Sequence, residues 1–586
     1  MPSVVRGCLL PFLNATARMT NKKVAAVLKE TAQLIELTGG NPFRARAFSS
    51  AARTIRDMEE PLQDYVDRGT LQEIDGIGEG LAAQLNDLFE RASFDLRDEL
   101  LNAVPPGLLD VMRVKGLGTK RVRTLWKELD VTSLDELETA AESNQIQQIS
   151  GFGAKTEANI LKHVRALRRY DAQRRYADVY AAAHSLRDTL AGATSAPVAL
   201  AGGFRRKCPT LQELTLVSTA DARALVDALN AAEYESASAS DKELPPYVRA
   251  TVTTTLPDGF PVSIYCVHPD ELGTALWYHT GSESYRKAMT DAPDALPAMT
   301  DEAAVFASFD SAPHPPELRE ALWTDTLDAL PGADALVTLG DLRGTLHNHT
   351  TYSDGAHSLR AMAEATRSRG LEYIGICDHS QSLTVASGLS PDEVRAQHDA
   401  IDALNDAHDD GTFRVFKGIE SDILKDGSLD YDDELLAQFD LVVASVHSGF
   451  SMNEAEATER IIRAVSHPAT TILGHPTGRL LLVREGYPID HEAVIDACAA
   501  HNVAIELNAN PYRLDVDWTH VRYAIEQGVL VSINPDAHST DELDNVRWGV
   551  EAARKGGLTA DACLNAKSLP DFEQWLDARA PVASTA

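Results

Sequence analysis

One short stretch constrains this chain more than any other, residues 346–355, which read LHNHTTYSDG. His347 and His349 are separated by one residue, so on an extended chain both imidazoles point to the same face. Asp354 follows five positions later, directly before a glycine, and can turn back toward them. An imidazole pair that faces a carboxylate is typical of a metal site, although a lone His-x-His is more often a surface pair near a strand end.

The rest of the carboxyl-terminal half repeats one pattern, in which a short apolar run ends at a side chain that can bind a metal. We predict strands at 374–377, 415–419, 441–446, 471–474 and 530–535, and the residues after them are Asp378 with His379, Glu420, His447, His475, and Asp536 with His538. Residues 335–342 can form a first strand, and helices are predicted at 359–369, 392–405 and 454–464. This alternation predicts a barrel with its site at the carboxyl ends of the strands.

This register resembles the polymerase and histidinol phosphatase (PHP) domain. The resemblance implies an α/β fold, a distorted (β/α)7 barrel over residues 340–575, with up to three divalent metal ions. It also implies nine metal ligands, His347, His349, Asp354, His379, Glu420, His447, His475, Asp536 and His538. Mixed imidazole and carboxylate ligands favour Mn²⁺, Zn²⁺ or Fe²⁺ over Mg²⁺ in all-oxygen coordination.

Three residues of this region form the predicted catalytic set. By analogy with the PHP family, Glu420 is the carboxylate that bridges the metals. Asp378, beside His379, is a candidate for orienting a ligand, and Arg479 is a candidate phosphate clamp because it follows the turn at 475–478.

Composition excludes several classes of protein. The chain has 586 residues, enough for several domains; 44% of them are hydrophobic, and no run is long enough to span a bilayer. The six cysteines are scattered and form no CxxC pair, which favours a reducing cytoplasm and argues against a zinc ribbon. We therefore expect a monomeric cytoplasmic protein without a membrane partner.

The net charge of −33 is unusual for a protein that binds nucleic acid. Only 15 of the 54 basic residues are lysine, and carboxylates are abundant along most of the chain. An acidic surface that is poor in lysine is typical of halophilic proteins, because it stays solvated in concentrated salt. Overall charge therefore says little about the ligand, and local basic patches are the informative feature.

The two ends of the chain are interpreted as extensions. Residues 8–13 form a brief apolar patch, but Pro11 interrupts it, which argues against a secretory signal. Met19 directly precedes a predicted helix, so residues 1–19 are interpreted as a disordered extension or the result of a misassigned start. Residues 576–586 are predicted to be a tail.

A Gly-apolar-Gly turn that leads into a helix occurs three times between residues 74 and 153. Its glycines are Gly76 and Gly78, Gly116 and Gly118, and Gly151 and Gly153. Such a turn bares backbone N–H groups at a helix N-terminus, where they can bind phosphate. These helix-hairpin-helix signatures favour a grip on a DNA backbone, and the second and third lead into basic helices that begin with Lys120 and Lys155. The turns are also compatible with a bound monovalent cation.

The region that contains these turns is predicted to be all-α. We divide it into a helical domain with the first turn at residues 20–100, and a second helix-hairpin-helix domain, resembling polymerase fingers, at residues 101–176.

From about residue 197 the pattern changes to strands, predicted at 198–200, 214–217, 251–256 and 262–267, with one helix at 222–229 and a hairpin turn at 257–259. The hairpin repeats, the run Gly202-Gly203-Phe204-Arg205-Arg206 and the pair Gly281-Ser282 resemble family X DNA polymerases fused to a PHP domain. The resemblance runs from about residue 21 to residue 567, and includes residues 315–320 and 506–513. It implies an α+β nucleotidyltransferase-like palm and thumb at residues 177–335.

The sequence departs from that family at the polymerase site. The family holds two Mg²⁺ ions between three aspartates. Aligned from Arg206, these positions are Glu213, Thr215 and Ser263, and Gly203 replaces the serine of the phosphate-binding loop. One carboxylate of three argues against Mg²⁺ at the palm and predicts a degenerate polymerase site.

The amino-terminal domain shows a parallel departure. Family members with 5′-deoxyribose-phosphate lyase activity use a lysine in the helix after the first hairpin turn. That position is Gln84, which offers no amine for a Schiff base, and Gly80 replaces a second lysine nearby. The lyase site is therefore predicted to be degenerate.

These patterns predict a DNA repair protein whose barrel cleaves phosphodiesters at the 3′ ends of gapped or nicked DNA, as a 3′-5′ exonuclease, an abasic-site processing enzyme, or both. One alternative is a working DNA polymerase, if Asp221 or Asp258 substitutes for the missing aspartates, although a helix start and a turn are poor positions for that. Another is a small-molecule phosphatase of the histidinol-phosphatase type with a vestigial front half. A scaffold without catalysis is disfavoured by the nine candidate ligands.

Overall fold

The computed structural model describes residues 19–56, 58, 60–407 and 411–579, and the chain divides into two compact units between Ala172 and Gln173. Apart from Met19, the predicted extension at 1–19 lies outside the described residues, as do the last seven residues of the predicted tail. Among the described helices, none is long and apolar enough to cross a membrane. The five described cysteines are all free.

The first unit is all-α, which confirms the fold predicted for this region. Its helices are α1 (Asn21–Thr38), α2 (Pro42–Arg56), α3 (Leu62–Arg68), α4 (Glu79–Arg91), α5 (Asp95–Ala103), α6 (Gly107–Val111), α7 (Thr119–Leu129), α8 (Leu134–Glu142) and α9 (Ala154–Asp171). Two separate hydrophobic cores hold it together, one mainly from α1 to α4 and one mainly from α6 to α9. Each core is closed by an apolar residue from the hairpin turns, such as Ile77 in the first and Leu117 in the second.

The second unit begins with a mixed five-stranded sheet of the palm type. Its elements are β1 (Arg174–Arg175), α10 (Tyr176–Thr194), β2 (Val198–Leu200), α11 (Gly202–Arg205), β3 (Thr210–Leu211), β4 (Leu214–Ser218), α12 (Ala222–Ala231), β5 (Ser238–Ser240), β6 (Ala250–Thr255), β7 (Pro261–Cys266), α13 (Leu272–Thr280), α14 (Glu283–Met289) and α15 (Glu302–Ala307). The sheet order is β2-β4-β7-β6-β5, with β4 and β7 parallel and the other neighbours antiparallel. The predicted hairpin between β6 and β7 is confirmed.

The same unit continues into a barrel of seven parallel strands. Its elements are β8 (Gly344–Asn348), α16 (Leu359–Ser368), β9 (Tyr373–Ile376), α17 (Pro391–Ala407), β10 (Arg414–Asp422), α18 (Asp433–Leu436), β11 (Leu441–Ser445), α19 (Glu454–Val465), β12 (Ile472–Leu473), α20 (His491–Ala500), β13 (Ala504–Asn508), α21 (Trp518–Glu526), β14 (Val531–Asn534), α22 (Val546–Lys555) and α23 (Leu569–Asp577). The strands pair in chain order from β8 to β14. A bridge between Asn348 and Ala537 brings the first and last strands together, which confirms the near-closed seven-stranded barrel.

The first barrel strand is not the apolar run predicted for it. Residues 335–342 form an isolated bridge at Leu336 and a short 3-10 turn over Leu339–Asp341, whereas the strand begins at Gly344. A Cβ atom at Gly344 would lie 2.0 Å from the Tyr373 ring, so glycine is what allows β8 to approach β9. His347 therefore lies inside the strand rather than after it.

A cluster of partly buried charged side chains joins the palm to the barrel within the second unit. The Arg206 guanidinium donates to the Glu320 carboxylate at 2.7 Å, and Lys555 on α22 donates to the same carboxylate at 2.5 Å. Burial disfavours the ionised form of Glu320, but Lys555 and Arg206 outweigh burial and hold its pKa below the ordinary value. The palm arginine predicted to lie in the polymerase site is therefore engaged in an ion pair with this chain's own carboxylate.

Candidate metal centre and DNA contacts

The structure brings the nine predicted ligands together at the carboxyl ends of the barrel strands. His347 and His349 lie at the end of β8, Asp354 in the next loop, His379 after β9, Glu420 in β10, His447 after β11, His475 after β12, and Asp536 and His538 after β14. Eight of them form three groups whose ligand atoms lie within 4.8 Å of one another, namely His349, Asp354, His379 and His538; His347, His349 and Asp536; and His379, Glu420 and His447. The ninth, His475, is outside these groups but has its Nε2 atom 2.9 Å from Glu420.

Glu420 is the carboxylate at the centre of this arrangement. Imidazole nitrogens of five residues approach its oxygens, at 2.8 Å for His379, 2.9 Å for His475, 3.3 Å for His447, 3.4 Å for His347 and 3.7 Å for His349. Burial opposes ionisation, but the neighbouring imidazoles outweigh it and hold the pKa of Glu420 well below its ordinary value. Burial, together with His538 and His379, lowers the pKa of His349 to about 3. Burial alone would lower the pKa of His447, but Glu420 and Asp422 outweigh it and raise that pKa to about 10. A metal ion bound here would therefore replace a proton on that imidazole.

The buried polar atoms of the cluster fit a set of divalent cations. Among the described residues, the atoms without a hydrogen-bond partner include His347 Nε2, His349 Nε2, His379 Nδ1, Glu420 Oε2 and His475 Nδ1. A buried polar atom without a partner is costly, so a concentration of such atoms at one place calls for a bound group. Imidazole lone pairs and carboxylate oxygens are ligands of transition-metal ions.

Two carboxylates that the sequence analysis did not single out hold the candidate ligands in place. Glu506, fully buried on β13, accepts a hydrogen bond from His347 Nδ1 at 2.7 Å, which leaves Nε2 as the atom that faces the site. Asp422 accepts a hydrogen bond from His447 Nδ1 at 2.6 Å, which leaves Nε2 of that imidazole facing the site. A carboxylate on the far nitrogen sets the tautomer of a metal-binding histidine and raises its basicity.

The predicted orienting residue, Asp378, organises a loop rather than a ligand ring. Its buried carboxylate accepts hydrogen bonds from the Thr350 N–H at 2.8 Å, from Ser353 Oγ at 2.5 Å and from Gln397 Nε2 at 2.6 Å. Burial raises its pKa despite these donors. Asp378 thereby holds the backbone between His349 and Asp354, so its effect on the site passes through that loop.

The predicted phosphate clamp, Arg479, is used elsewhere in the structure. Its Nε atom donates to the Arg513 carbonyl at 2.9 Å, and its two terminal nitrogens donate to Asp517 and to the Leu514 carbonyl. Arg479 therefore fixes the 513–517 segment and is not aimed at the site, because its donors are committed to a neighbouring loop. Arg513 lies closer to the candidate ligands, with Nε 3.5 Å from Asp536 Oδ2.

The three hairpin turns of the first unit have the predicted backbone. The first glycine of each has a positive φ, 81° at Gly76, 88° at Gly116 and 89° at Gly151, which a side chain rarely tolerates. The second glycine of each turn is the N-cap of α4, α7 or α9, and a glycine offers no side chain to the first N–H groups of the helix. These N–H groups are donors of the kind that bind phosphate.

Charge distinguishes the first turn from the other two. Asp75 and Glu79 flank the first turn, whereas exposed lysines accompany the second and third, namely Lys115, Lys120, Lys155 and Lys162. These lysines form no ion pair with the described part of the chain, while Arg165 and Arg168, farther along α9, form ion pairs with carboxylates of α8, as Arg165 does with Glu138 at 3.1 Å. The charge around the second and third turns is therefore more favourable for an anion than the charge around the first turn.

Replacing Gly116 or Gly151 by valine is expected to weaken DNA binding on the order of 10-fold. A β-branched residue in the left-handed region costs about 1–2 kcal/mol, so the turn is driven out of its conformation, although a Cβ atom at either position would meet open space. Gly76→Val is the matched control and should weaken binding less, because acidic residues flank that turn. Fluorescence anisotropy with a labelled gapped duplex measures the affinity. Equal affinities for all three variants and the unmodified protein would contradict the assignment.

The three polymerase positions come together in the palm sheet. Thr215 on β4 pairs in register with Ser263 on β7, and the Ser263 hydroxyl donates to the Glu213 carboxylate at 3.1 Å. Gly202 approaches Thr215 so closely that a Cβ atom on it would lie 2.9 Å from the threonine Oγ1. The three positions aligned from Arg206 are therefore neighbours in space, and Glu213 carries the only carboxylate among them.

The lyase position lies on α4, where Gln84 is partly buried and its Oε1 atom has no hydrogen-bond partner among the described residues. Gly80, one turn earlier, is exposed, and a Cβ atom added to it would have no neighbouring atom within 4 Å in the described part of the chain.

Comparison with known proteins gives matches along most of the chain. Residues 19–94 match the helix-hairpin-helix domain, residues 108–166 the SAM-like helix-hairpin-helix tandem, and residues 345–510 the PHP domain. The chain is similar to the "DNA polymerase/3'-5' exonuclease PolX" of Bacillus subtilis (strain 168), with 34% identity over 578 residues, 95% of this chain and 99% of that protein.

Two shorter proteins, each named "Probable phosphatase", are also similar. That of Thermoanaerobacter sp. (strain X514) is 26% identical over 231 residues, which is 37% of this chain and 88% of that protein. That of Syntrophotalea carbinolica is 28% identical over 231 residues, 38% of this chain and 90% of that protein.

Proposed function

The chain belongs to the PolX family of DNA polymerases with a PHP domain, and from that premise we propose that its barrel hydrolyses phosphodiester bonds at DNA 3′ ends during repair. The observation that carries the proposal is the convergence of nine candidate ligands, Glu420 among them, at the carboxyl ends of the barrel strands, in a chain that also has three intact hairpin turns. The activity is a 3′-5′ exonuclease, an abasic-site processing enzyme, or both. Its substrates are gapped, nicked or 3′-ended DNA.

In this proposal the nine residues hold up to three divalent metal ions of the Mn²⁺, Zn²⁺ and Fe²⁺ class. When bound, these ions supply Lewis acidity toward the phosphoryl oxygens and the attacking water. Glu420 supplies the negative charge that balances the ions. Glu506 and Asp422 keep the far nitrogens of His347 and His447 protonated, so that each presents its other nitrogen to the site.

Arg513 is the residue that we assign to the substrate phosphate, in place of Arg479. Its guanidinium lies at the edge of the site beside Asp536, and its side chain is 20% exposed. Arg479 supports it by binding the Arg513 carbonyl. A planar guanidinium can donate two parallel hydrogen bonds to phosphate oxygens, which orients the scissile diester.

The alternatives find less support. Asp221 is the N-cap of α12 and accepts a hydrogen bond from the Arg223 N–H at 2.9 Å, and Asp258 forms an ion pair with Arg174 at 2.7 Å in the β6–β7 turn. Both carboxylates are thus used in a helix start and a turn, as the sequence predicted. A small-molecule phosphatase has no use for three phosphate-binding turns.

The proposal includes a cytoplasmic location and a surface adapted to concentrated salt.

The direct test is a 5′-labelled primer annealed to a template and incubated with Mn²⁺ in the absence of nucleotides. The expected result is a ladder that shortens from the 3′ end and stops when a chelator is added. An intact primer with Mn²⁺, Zn²⁺ and Fe²⁺ alike, together with hydrolysis of a small phosphate monoester, would replace the proposal by the small-molecule phosphatase.

A further inference from the structure

Large hydrophobic side chains are exposed around the mouth of the barrel. In the described part of the chain six such side chains are exposed, and four of them lie on loops that follow barrel strands at their carboxyl ends: Val385, Phe450, Val483 and Tyr512. These loops follow β9, β11, β12 and β13, the strands that lead to candidate ligands or carry Glu506. The proposed hydrolysis at the metal centre gives these apolar side chains no role.

The Phe450 ring lies on the turn that follows His475. A Cβ atom on Gly478 would be 3.1 Å from the ring, and the Tyr487 ring is 5.7 Å away between centroids. The Arg484 guanidinium lies over the ring at 4.9 Å. Phe450 is nevertheless 38% exposed as a residue, so part of its surface is open to a ligand.

Tyr512 is held in a similar way one residue before Arg513. The Arg175 guanidinium lies over its ring at 3.6 Å, and its carbonyl accepts a hydrogen bond from the Leu481 N–H at 2.7 Å. Tyr512 is 52% exposed as a residue although its backbone is fixed. The ring thus stands as a rigid aromatic surface next to the residue that approaches Asp536.

Positive charge accompanies both rings. The Arg484 guanidinium, which lies over the Phe450 ring, donates to the Gly478 carbonyl at 2.9 Å, and the Arg513 guanidinium follows Tyr512 directly and lies 3.5 Å from Asp536. In a chain with a net charge of −33, such a concentration of arginines at one edge of the site is complementary to an anion.

We propose that Phe450 and Tyr512 form a stacking platform for unpaired bases at the 3′ end of a DNA strand, with Arg484 and Arg513 on the phosphates between those bases. Exposed aromatic faces interleaved with arginines are the means by which proteins bind single strands, because every base offers a face that stacks. A paired terminal base is already stacked inside its duplex. The proposal rests on the function proposed above and deepens it, since the platform makes an intact base a determinant of substrate choice and favours exonuclease action over abasic-site processing.

The test that does not require hydrolysis is fluorescence of a single-stranded oligonucleotide with 2-aminopurine as the second base from its 3′ end. It is titrated with the full-length protein in the presence of a chelator, and stacking on the platform is expected to quench the probe. Phe450→Ala and Tyr512→Ala should each lose most of the quenching. Tyr512→Phe and Phe450→Tyr keep the ring and should quench like the unmodified protein. Leu339→Ala removes an exposed side chain that precedes β8 and serves as the matched control.

The second test is the ratio of kcat/KM for an oligonucleotide with intact 3′-terminal bases to that for one with abasic residues at the same positions. The ratio is expected to fall roughly 5- to 150-fold in Phe450→Ala and Tyr512→Ala, the range for loss of one stacked base. A bright probe with the unmodified protein, or ratios in both alanine variants equal to that of the unmodified protein, would overturn the platform. Quenching without cleavage of any oligonucleotide would instead leave the platform in place and refute the proposed hydrolysis.

Discussion

Glu420→Gln is expected to lower Mn²⁺-dependent shortening of a DNA 3′ end by about 10³-fold or more, equivalent to roughly 4 kcal/mol of activation free energy. Glutamine has nearly the same shape as glutamate, so the barrel strand β10 and its neighbours should keep their packing. What the substitution removes is the negative charge toward which five imidazoles converge. A neutral amide at this position cannot balance closely spaced divalent cations, and its N–H group can only repel them.

Three measurements separate this effect from unfolding. The matched control is Glu434→Gln, the same chemical change at an exposed position in the first turn of α18, which should keep full activity. Metal content after dialysis against Mn²⁺ should fall in Glu420→Gln and not in the control. Affinity for DNA in the presence of a chelator should be equal in both, because the hairpin turns belong to a different unit. Full nuclease activity in Glu420→Gln with normal metal content would refute the assigned centre.

Much of the barrel could be predicted from the sequence because parallel strands buried on both faces are continuous apolar runs. The run before His447 and the one before His475 are of this kind, and both form strands of the barrel. The strand β13 was missed because Glu506 and Asn508 interrupt its apolar pattern. Those polar residues are tolerated in a buried strand because Glu506 accepts hydrogen bonds from His347 and from the His475 N–H, at 2.7 Å in each case.

The other site residues that the sequence did not indicate depend on contacts between distant parts of the chain. Arg479 and Arg513 are 34 positions apart, and no local pattern indicates that the first would bind the carbonyl of the second and leave it beside Asp536. Likewise, the bond from His447 to Asp422 joins the segment after β11 to the end of β10. Local periodicity predicts which residues end strands, but closure of the barrel decides which side chains face one another.

The other prediction with a large expected effect concerns the palm. We expect no detectable primer extension by it. Three carboxylates hold two Mg²⁺ ions against their mutual repulsion in the polymerases that this chain resembles. Here Glu213 provides one carboxylate, and its neighbours in space are the hydroxyls of Thr215 and Ser263. A hydroxyl can offer a neutral oxygen to a metal but no charge, so a second ion at this place is poorly balanced.

The palm residues that would hold a nucleotide phosphate also argue against polymerisation. Arg206 follows the glycine loop, where a nucleotide phosphate would be held, but its guanidinium donates to Glu320 at 2.7 Å and to the Thr280 carbonyl at 2.7 Å. Glu320 is in turn held by Lys555 from the barrel. Releasing Arg206 to bind a nucleotide would leave the partly buried Glu320 carboxylate with Lys555 as its remaining cationic partner, which opposes the release.

The measurement is primer extension by a His349→Ala variant, in which cleavage at the barrel cannot conceal synthesis, over a range of Mg²⁺, Mn²⁺ and KCl concentrations. An added competent polymerase in a parallel reaction shows that the primer and template can be extended. Two carboxylate charges are missing from the position of the polymerase metal site, which raises the activation free energy of nucleotide transfer. Since each 4 kcal/mol lowers the rate by about 10³-fold, we expect extension below detection. Template-directed extension that disappears in the double variant His349→Ala, Glu213→Ala would show that one carboxylate is sufficient. In that case the palm works as a polymerase, and the ion pair between Arg206 and Glu320 must open to admit a nucleotide.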